Sequence, residues 1–421
     1  MRIENLRIEK NGERLRTVAN VFWEDCSRPA QELYFETNEN FADSLTCNPH
    51  AFLVACTMPA MHFGEHRLSI EGEICPELKD GLMTVMNWMR FWWYNPSRRL
   101  VTIEGKTISE YPEQRISERA GVFFSGGIDA LSTLVVNRMG YPLKHPGSIK
   151  DGLLVCGLEI PDPVIFKYVL DSLSVLAENA NISLVPIFTN IRSLGPEDDK
   201  VFWGEFWRKE FMGATLAAIA HAFANRLTRV SINSSDVIPD IVPYGTHPLV
   251  DPCFSSSDLR IRHEGITLSR LEKTRMVSAW APALQNLRVC NDAKLYQPGR
   301  LNCGKCEKCI RTMLTLKALG VLDKTTVFPD HDISVELIKA NLTVEGDVIM
   351  HYPEIISALY EKGHHEIAQA IQGKLCEYKT RNNRIQLRRK LIEPIIKFDE
   401  EHFNGFIRNI KRNFYSKGIW N

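Results

Sequence analysis

Two short stretches carry residue types and spacings suited to chemistry. In the first, Val122-Phe123-Phe124 runs apolar into Ser125-Gly126-Gly127-Ile128-Asp129, and a helical pattern follows over Ala130–Met139. A strand that ends in such a turn and restarts as a helix aims several backbone N–H groups at one point, where the helix dipole adds its positive end. Gly126 and Gly127 let the backbone close on an anion. Ser125 and Ser132 offer hydroxyl donors to phosphate oxygens. Asp129 would repel a bare phosphate and suits a Mg²⁺ that accompanies one. The turn lacks a Gly-Lys-Ser/Thr ending and the G-x-G-x-x-G spacing, so neither of those nucleotide loops is present.

The second stretch is Cys303-Gly304-Lys305-Cys306-Glu307-Lys308-Cys309, with Cys290 upstream. C-x₁₂-C-x₂-C-x₂-C places four soft thiolates close together, with Gly304 permitting the tight turn between the first pair of the knuckle. A closed set of four suits a structural Zn²⁺. An iron–sulfur cluster is the rival, but no Cys-Pro follows and no second cluster appears. Among weaker candidates, Asn233, Ser234, Ser235 and Asp236 follow a strand-like run and could contact substrate or simply make a turn. His247, Asp251 and His263 lie in a loop-rich stretch and could orient substrate. Arg311 reads as a partner in a surface salt bridge. Cys156 and Cys253 read as core residues.

These residues need elements to hold them. Short alternating runs over residues 1–115 predict a β-rich N-terminal domain with one longer helix near Leu78–Trp93. From residue 116 to 320 strands and helices alternate: Gly121–Phe124, Leu153–Ile160, Ile182–Phe188 and Arg229–Asn233 as strands, Pro161–Ala180 and about Phe202–Arg226 as helices. That is the pattern of parallel βαβ units, which bind ligands beyond the carboxyl ends of their strands. Both Ser125–Asp129 and Asn233–Asp236 fall at that edge. Residues 321–421 read as helical, ending in a stripe of Phe403, Phe406, Ile407, Ile410 and Phe414 on a basic background. The expected fold class is therefore α/β, a parallel sheet with a metal knuckle between a β-rich and a helical flank.

Length and composition bound the function. At 421 residues, 44% hydrophobic and 24% charged, the chain can bury more than one core. Lys plus Arg and Asp plus Glu are 51 each, which gives no global pull toward a polyanion or a membrane surface. No leader-like or membrane-spanning apolar run is present. Of eleven cysteines four cluster and the rest are scattered, the usage of a reducing, cytoplasmic compartment.

The Ser125–Asp129 turn resembles that of the PP-loop ATP pyrophosphatases, Ser-Gly-Gly-x-Asp-Ser, with Ala130 in place of the last Ser. Together with the cysteines, the stretch from Gly121 to Leu319 is similar to the 7-cyano-7-deazaguanine synthase (QueC) family. Leu268-Ser269-Arg270-Leu271-Glu272-Lys273 resembles that family's Leu-Ser-Lys-x-Glu helix start. The resemblance implies ATP, Mg²⁺ and Zn²⁺ as cofactors, with Ser125, Gly126, Gly127, Ile128, Asp129 and Ser132 on the nucleotide and Cys290, Cys303, Cys306 and Cys309 on zinc. It implies a carbon–nitrogen ligase that adenylates 7-carboxy-7-deazaguanine, releases pyrophosphate and passes the acyl group to an amine. The added terminal segments resemble the antiphage-defence branch, including type IV CBASS and Qat systems, where the amine can be the N-terminus of an operon-encoded partner. The housekeeping branch uses ammonia and ends at a nitrile. A tRNA-modifying PP-loop enzyme is a further alternative, although it usually needs a catalytic cysteine pair near the loop, and none is present. A zinc-bearing scaffold with a degenerate loop is the last.

Overall fold

From His50 to Met61 the chain is buried on every face. A helix with no polar side belongs at the centre of a large core, and this one is α1 (Pro49–Phe63), started by Asn48, whose side chain accepts the His50 N–H, and stopped at Gly64. The periodicity predicts one helix in the first 115 residues. There are two, because a helix without a polar stripe carries no 3.6-residue signal.

The structure is a computed structural model that describes residues 1–108, 118–197, 204–290 and 300–403. The chain divides into two compact units, Met1–Asp332 and Ile333–Asn421. In the first, the order is β1 (Arg2–Asn11), β2 (Arg14–Phe22), β3 (Gln31–Asn38), α1, β4 (Arg67–Ile74), α2 (Pro76–Trp93), β5 (Thr102–Thr107), β6 (Ala120–Phe123), α3 (Ile128–Gly140), β7 (Ile149–Cys156), α4 (Pro163–Asn179), β8 (Ser183–Thr189), α5 (Met212–Ala222), β9 (Arg229–Asn233), β10 (Arg260–Glu264), α6 (Arg270–Ser278), α7 (Ala281–Gln285) and α8 (Glu307–Ala318). A π-turn, Trp207–Phe211, leads into α5 where the sequence predicts one continuous helix.

All ten strands form one sheet, ordered β10-β9-β6-β7-β8-β3-β2-β1-β4-β5. The five from β10 to β8 run parallel, and β3, β2 and β1 follow antiparallel before β4 and β5 turn parallel again. The fold is thus α/β on a mostly parallel sheet. Strands of the segment expected to be β-rich are hydrogen-bonded directly onto the βαβ segment: Phe35 pairs with Thr189 and Thr37 with Ile187. Side chains lock that seam. Thr37 Oγ1 donates to the Pro186 carbonyl (2.7 Å), and Asn190 accepts the Tyr34 N–H (3.0 Å) while donating to the Glu32 carbonyl (2.8 Å). One apolar core holds α1, α2 and α5 together with Ile3, Val21, Phe35, Val185, Val230 and Ile261 from six different strands.

β10 was not legible as a strand, since Arg260-Ile261-Arg262-His263-Glu264 has one apolar residue; it forms because β9 offers a parallel edge. The second unit holds α9 (Val335–Asn341), α10 (Tyr352–Glu361) and α11 (His365–Phe403), with Ile338, Ile355, Leu359, Ala368 and Ile371 buried. No strand occurs after β10 among the described residues, in keeping with the helical expectation. The apolar stripe from Phe406 to Phe414 and its basic background lie outside the described residues. No described helix is long and apolar enough to cross a membrane.

Candidate functional site

β6 is buried at all four positions, and its neighbours β7 and β9 run parallel to it. The chain leaves its carboxyl end through Phe124, Ser125 and Gly126 and enters α3 at Ile128, with Gly127 as N-cap. Gly126 stands at φ +76°, and a Cβ there would come within 2.6 Å of Leu173 on α4. The left-handed conformation and the close approach both require glycine. The N–H groups of the first turn of α3 have no acceptor within the helix, the general condition for binding an anion there.

Asp129 sits in that first turn, half-buried, and is the centre of a charge cluster. Arg270 Nη1 donates to both carboxylate oxygens (2.9 and 2.7 Å), Lys273 Nζ lies 3.7 Å away, and Ser235 Oγ is at 3.4 Å. Burial alone would raise the Asp129 carboxyl, but Arg270 and Lys273 outweigh it and hold it well below the usual carboxylate range. Lys273 is fully buried; burial pushes its ammonium down, and Asp129 offsets this only in part. Lys308, on the first turn of α8, is close enough to feel Asp129, Glu159 and Arg270, and burial pushes it down too. Arg270, Lys273 and Lys308 thus gather round Asp129, a set of cations that suits an arriving polyanion.

The cations arrive by a local device. Ser269 and Glu272 form a capping box, each side chain bonded to the other's backbone N–H, and so start α6. Arg270 and Lys273, three apart, then share the face turned to Asp129. Neither Arg270 nor Lys273 was a candidate from the sequence, although the spacing Ser269-x-x-Glu272 is a signal that could have found them; nothing in the sequence pointed to Arg288 or Glu159. Arg288 N–H donates to the Gly126 carbonyl (2.9 Å), its Nη1 donates to the Ser125 carbonyl (3.0 Å), and it pairs with Glu159 at 3.4 Å.

Arg288 also begins the arm of the cysteine group. The sulfurs of Cys290, Cys303, Cys306 and Cys309 all lie within 4.8 Å of one another, with Cys303–Cys309 at 3.9 Å and Cys290–Cys306 at 3.8 Å. Four sulfurs at about 2.3 Å from a shared ion stand about 3.8 Å apart in a tetrahedron. A four-iron cluster would seat each thiolate on a separate iron and spread them further. The group can therefore hold one metal ion. The N–H groups of Lys305 and Cys306 donate to Cys303 Sγ (3.4 and 3.2 Å), with Gly304 at φ +71° making the turn. Asn302, fully buried, accepts the N–H groups of Val289 and Cys290 and donates to the carbonyls of Leu287 and Val327. It staples the Cys290 arm to the knuckle.

The remaining candidates divide. Ser125 and Gly127 face each other across the turn, with the Gly127 N–H 3.4 Å from Ser125 Oγ. Ile128 is buried beneath it. Ser132 is buried and its hydroxyl donates back to the Asp129 carbonyl (3.0 Å), so it is not aimed at the mouth. Of the strand-end cluster, Ser235 alone reaches Asp129. Asn233 donates to the Phe123 carbonyl (2.7 Å) and ties β9 to β6, while Ser234 and Asp236 bond each other as a turn. Arg311 is a buried residue paired with Glu307 (3.2 Å), not a surface one, because α8 turns that face inward. Cys156 is buried and Cys253 half-buried. Thr246, His247 and His263 all converge on Asp251. Comparison with protein-family models, curated proteins and solved structures finds no match.

Proposed function

We propose that the protein activates a carboxylic acid with ATP, releasing pyrophosphate into the Ser125–Asp129 turn, and passes the acyl group to an amine. The observation that carries this reading is the set of cations Arg270, Lys273 and Lys308 around Asp129, in the first turn of α3 at the carboxyl end of a parallel strand. That is the provision a pyrophosphate leaving group needs. Backbone N–H groups and fixed cations stabilise charge as it develops, and they do so without reorganising. Arg288, held on the carbonyls of Ser125 and Gly126, fixes the turn's shape and keeps its N–H groups aimed.

Asp129 is the carboxylate at the turn that fits a nucleotide-bound Mg²⁺, since such ions take one or two carboxylates plus phosphates. Arg270 already engages both its oxygens, so the nucleotide must share Arg270 before an ion can share Asp129. The ion would supply further neutralisation of the phosphates. The cysteine group is read as zinc-binding and structural: a closed set of four thiolates leaves no position for substrate.

The resemblance to the QueC family names the acid as 7-carboxy-7-deazaguanine. The segments outside residues 121–319 favour the defence branch, in which a protein N-terminus can be the amine. The test is pyrophosphate release from ATP with and without that acid. Acid-dependent release supports adenylation, and the absence of release at any acid concentration overturns it.

A further inference from the structure

His263, Asp251 and His247 stand apart from the phosphate turn, yet their arrangement is that of a proton-handling site. Asp251 is fully buried. Its Oδ2 accepts from His263 Nδ1 (2.7 Å) and from Thr246 Oγ1 (2.6 Å), and its Oδ1 accepts the His247 N–H (3.3 Å). A carboxylate that takes the Nδ1 proton fixes the His263 tautomer and leaves the Nε2 lone pair as acceptor. Nε2 makes no hydrogen bond among the described residues, and the His263 side chain is 4% exposed.

His247 is set the opposite way. Its Nδ1 accepts the Leu249 N–H (3.1 Å), its ring lies 4.9 Å from that of Trp92, and burial and then the nearby His263 hold its pKa down. Its proton is therefore on Nε2. Two other histidines of this protein look structural by contrast. His50 and His221 each bond a backbone group through Nε2 and have Nδ1 sealed in the core.

The dyad stands at the right edge of the sheet. His263 pairs with Ile232 and Glu264 with Asn233 in parallel register. Val122 pairs with Ser231, so Phe123, at the end of β6, stands level with His263 two strands away. Two strand spacings are about 10 Å, a span that an acyl adenylate bridges. The Ser234 N–H bonds the Glu264 carbonyl (2.8 Å), and Ser235 reaches Asp129, so one short segment links the two centres.

Resting on the adenylation reading, we propose that His263 is the general base of the second half-reaction, oriented by Asp251. The amine nitrogen attacks the acyl carbon of the adenylate, the C–N bond forms, and the C–O bond to AMP breaks with AMP leaving as its phosphate. The proton lost by the amine passes to His263 Nε2 and then to water.

The test separates the two halves, using ATP, 7-carboxy-7-deazaguanine and either ammonium or hydroxylamine. His263→Asn keeps a donor for Asp251 and removes the base. Exchange of labelled pyrophosphate into ATP stays within about twofold of wild type, while amide formation with ammonia falls on the order of 10²-fold or more. Hydroxylamine, already unprotonated near neutral pH, loses less than about tenfold because it depends less on a base. His263→Gln repeats the pattern, and added imidazole partly restores His263→Ala. If the variants lose both half-reactions alike, or neither, the general-base role is overturned and adenylation stands. If the wild type exchanges no pyrophosphate, the adenylation reading falls, and the base with it.

Discussion

Asp129 illustrates what a single residue contributes once its surroundings are known. In the sequence it is an acid after two glycines. In the fold it is the counter-charge that lets Arg270 and Lys273 be buried together beside the Ser125–Asp129 turn. Asp129→Asn leaves two like charges facing each other without compensation, and removing one partner of such a cluster costs roughly 3 kcal/mol. Urea unfolding reads that loss. Because its folded pKa is depressed, the stabilisation from Asp129 is fully present above the ordinary carboxylate range and disappears only as strong acid protonates it. The wild-type and variant stability curves should therefore stay separated at neutral pH and converge in acid. Pyrophosphate exchange should fall on the order of 10²-fold or more in the variant, since the loop's charges lose their arrangement.

At the scale of elements, α1 and α5 meet through two histidines. The rings of His50 and His221 cross at 5.6 Å. Burial lowers His50 to about 4, and burial together with His50 lowers His221 to about 3. His50 Nε2 also accepts the Cys75 N–H at the start of α2 (2.9 Å), a bond that protonation breaks. A histidine kept neutral in the fold stabilises it above about pH 6.5, and that stability is lost as pH falls toward the folded value. For His50 alone the loss between pH 6.5 and about 4 is about 3 kcal/mol. His50→Gln, which can still accept the Cys75 N–H, should flatten the curve in that window.

The knuckle and the phosphate turn are also coupled element to element. Arg288 stands two residues before Cys290 and holds the carbonyls of Ser125 and Gly126. Stripping the metal with a chelator, or replacing Cys303 by Ser, should lower the melting temperature and abolish pyrophosphate exchange together. Metal analysis should give one zinc per chain, with no visible absorbance from iron and sulfur. Exchange that survives loss of the metal would show that the arm does not shape the turn. Much at this scale was legible beforehand. The strand–turn–helix at Ser125 and the four cysteines are local patterns, set by residues adjacent in sequence. Arg270 and Lys273 were missed, although the Ser269-x-x-Glu272 spacing marks the helix start that carries them. Ser132 was misleading, because a hydroxyl in a helix can bond a carbonyl three residues back and be withdrawn from any ligand.

At the scale of the whole molecule, the N-terminal strands and the βαβ strands share a sheet and a core. A fragment lacking residues 1–107 exposes the β8 edge and the apolar surface that α1 covers, and should be insoluble or bind hydrophobic dyes without a cooperative transition. A fragment ending at Asp332 should remain soluble and unfold cooperatively, since it keeps the first compact unit intact. Differential scanning calorimetry of the two fragments tests both statements.

By itself, the sequence determined what depends on near neighbours: a glycine-bearing strand–turn–helix, a four-thiolate group, the alternation of strands and helices, and the helix start at Ser269. Tertiary structure alone decided which distant groups meet. It put Arg288 and Lys308 beside the turn, joined β3 to β8, turned Arg311 inward and drew His263 and His247 onto Asp251. The reason is physical. Caps, turns and ligand spacings are set over a few bonds, whereas a buried charge or a sheet edge takes whichever partner the packed chain brings within reach.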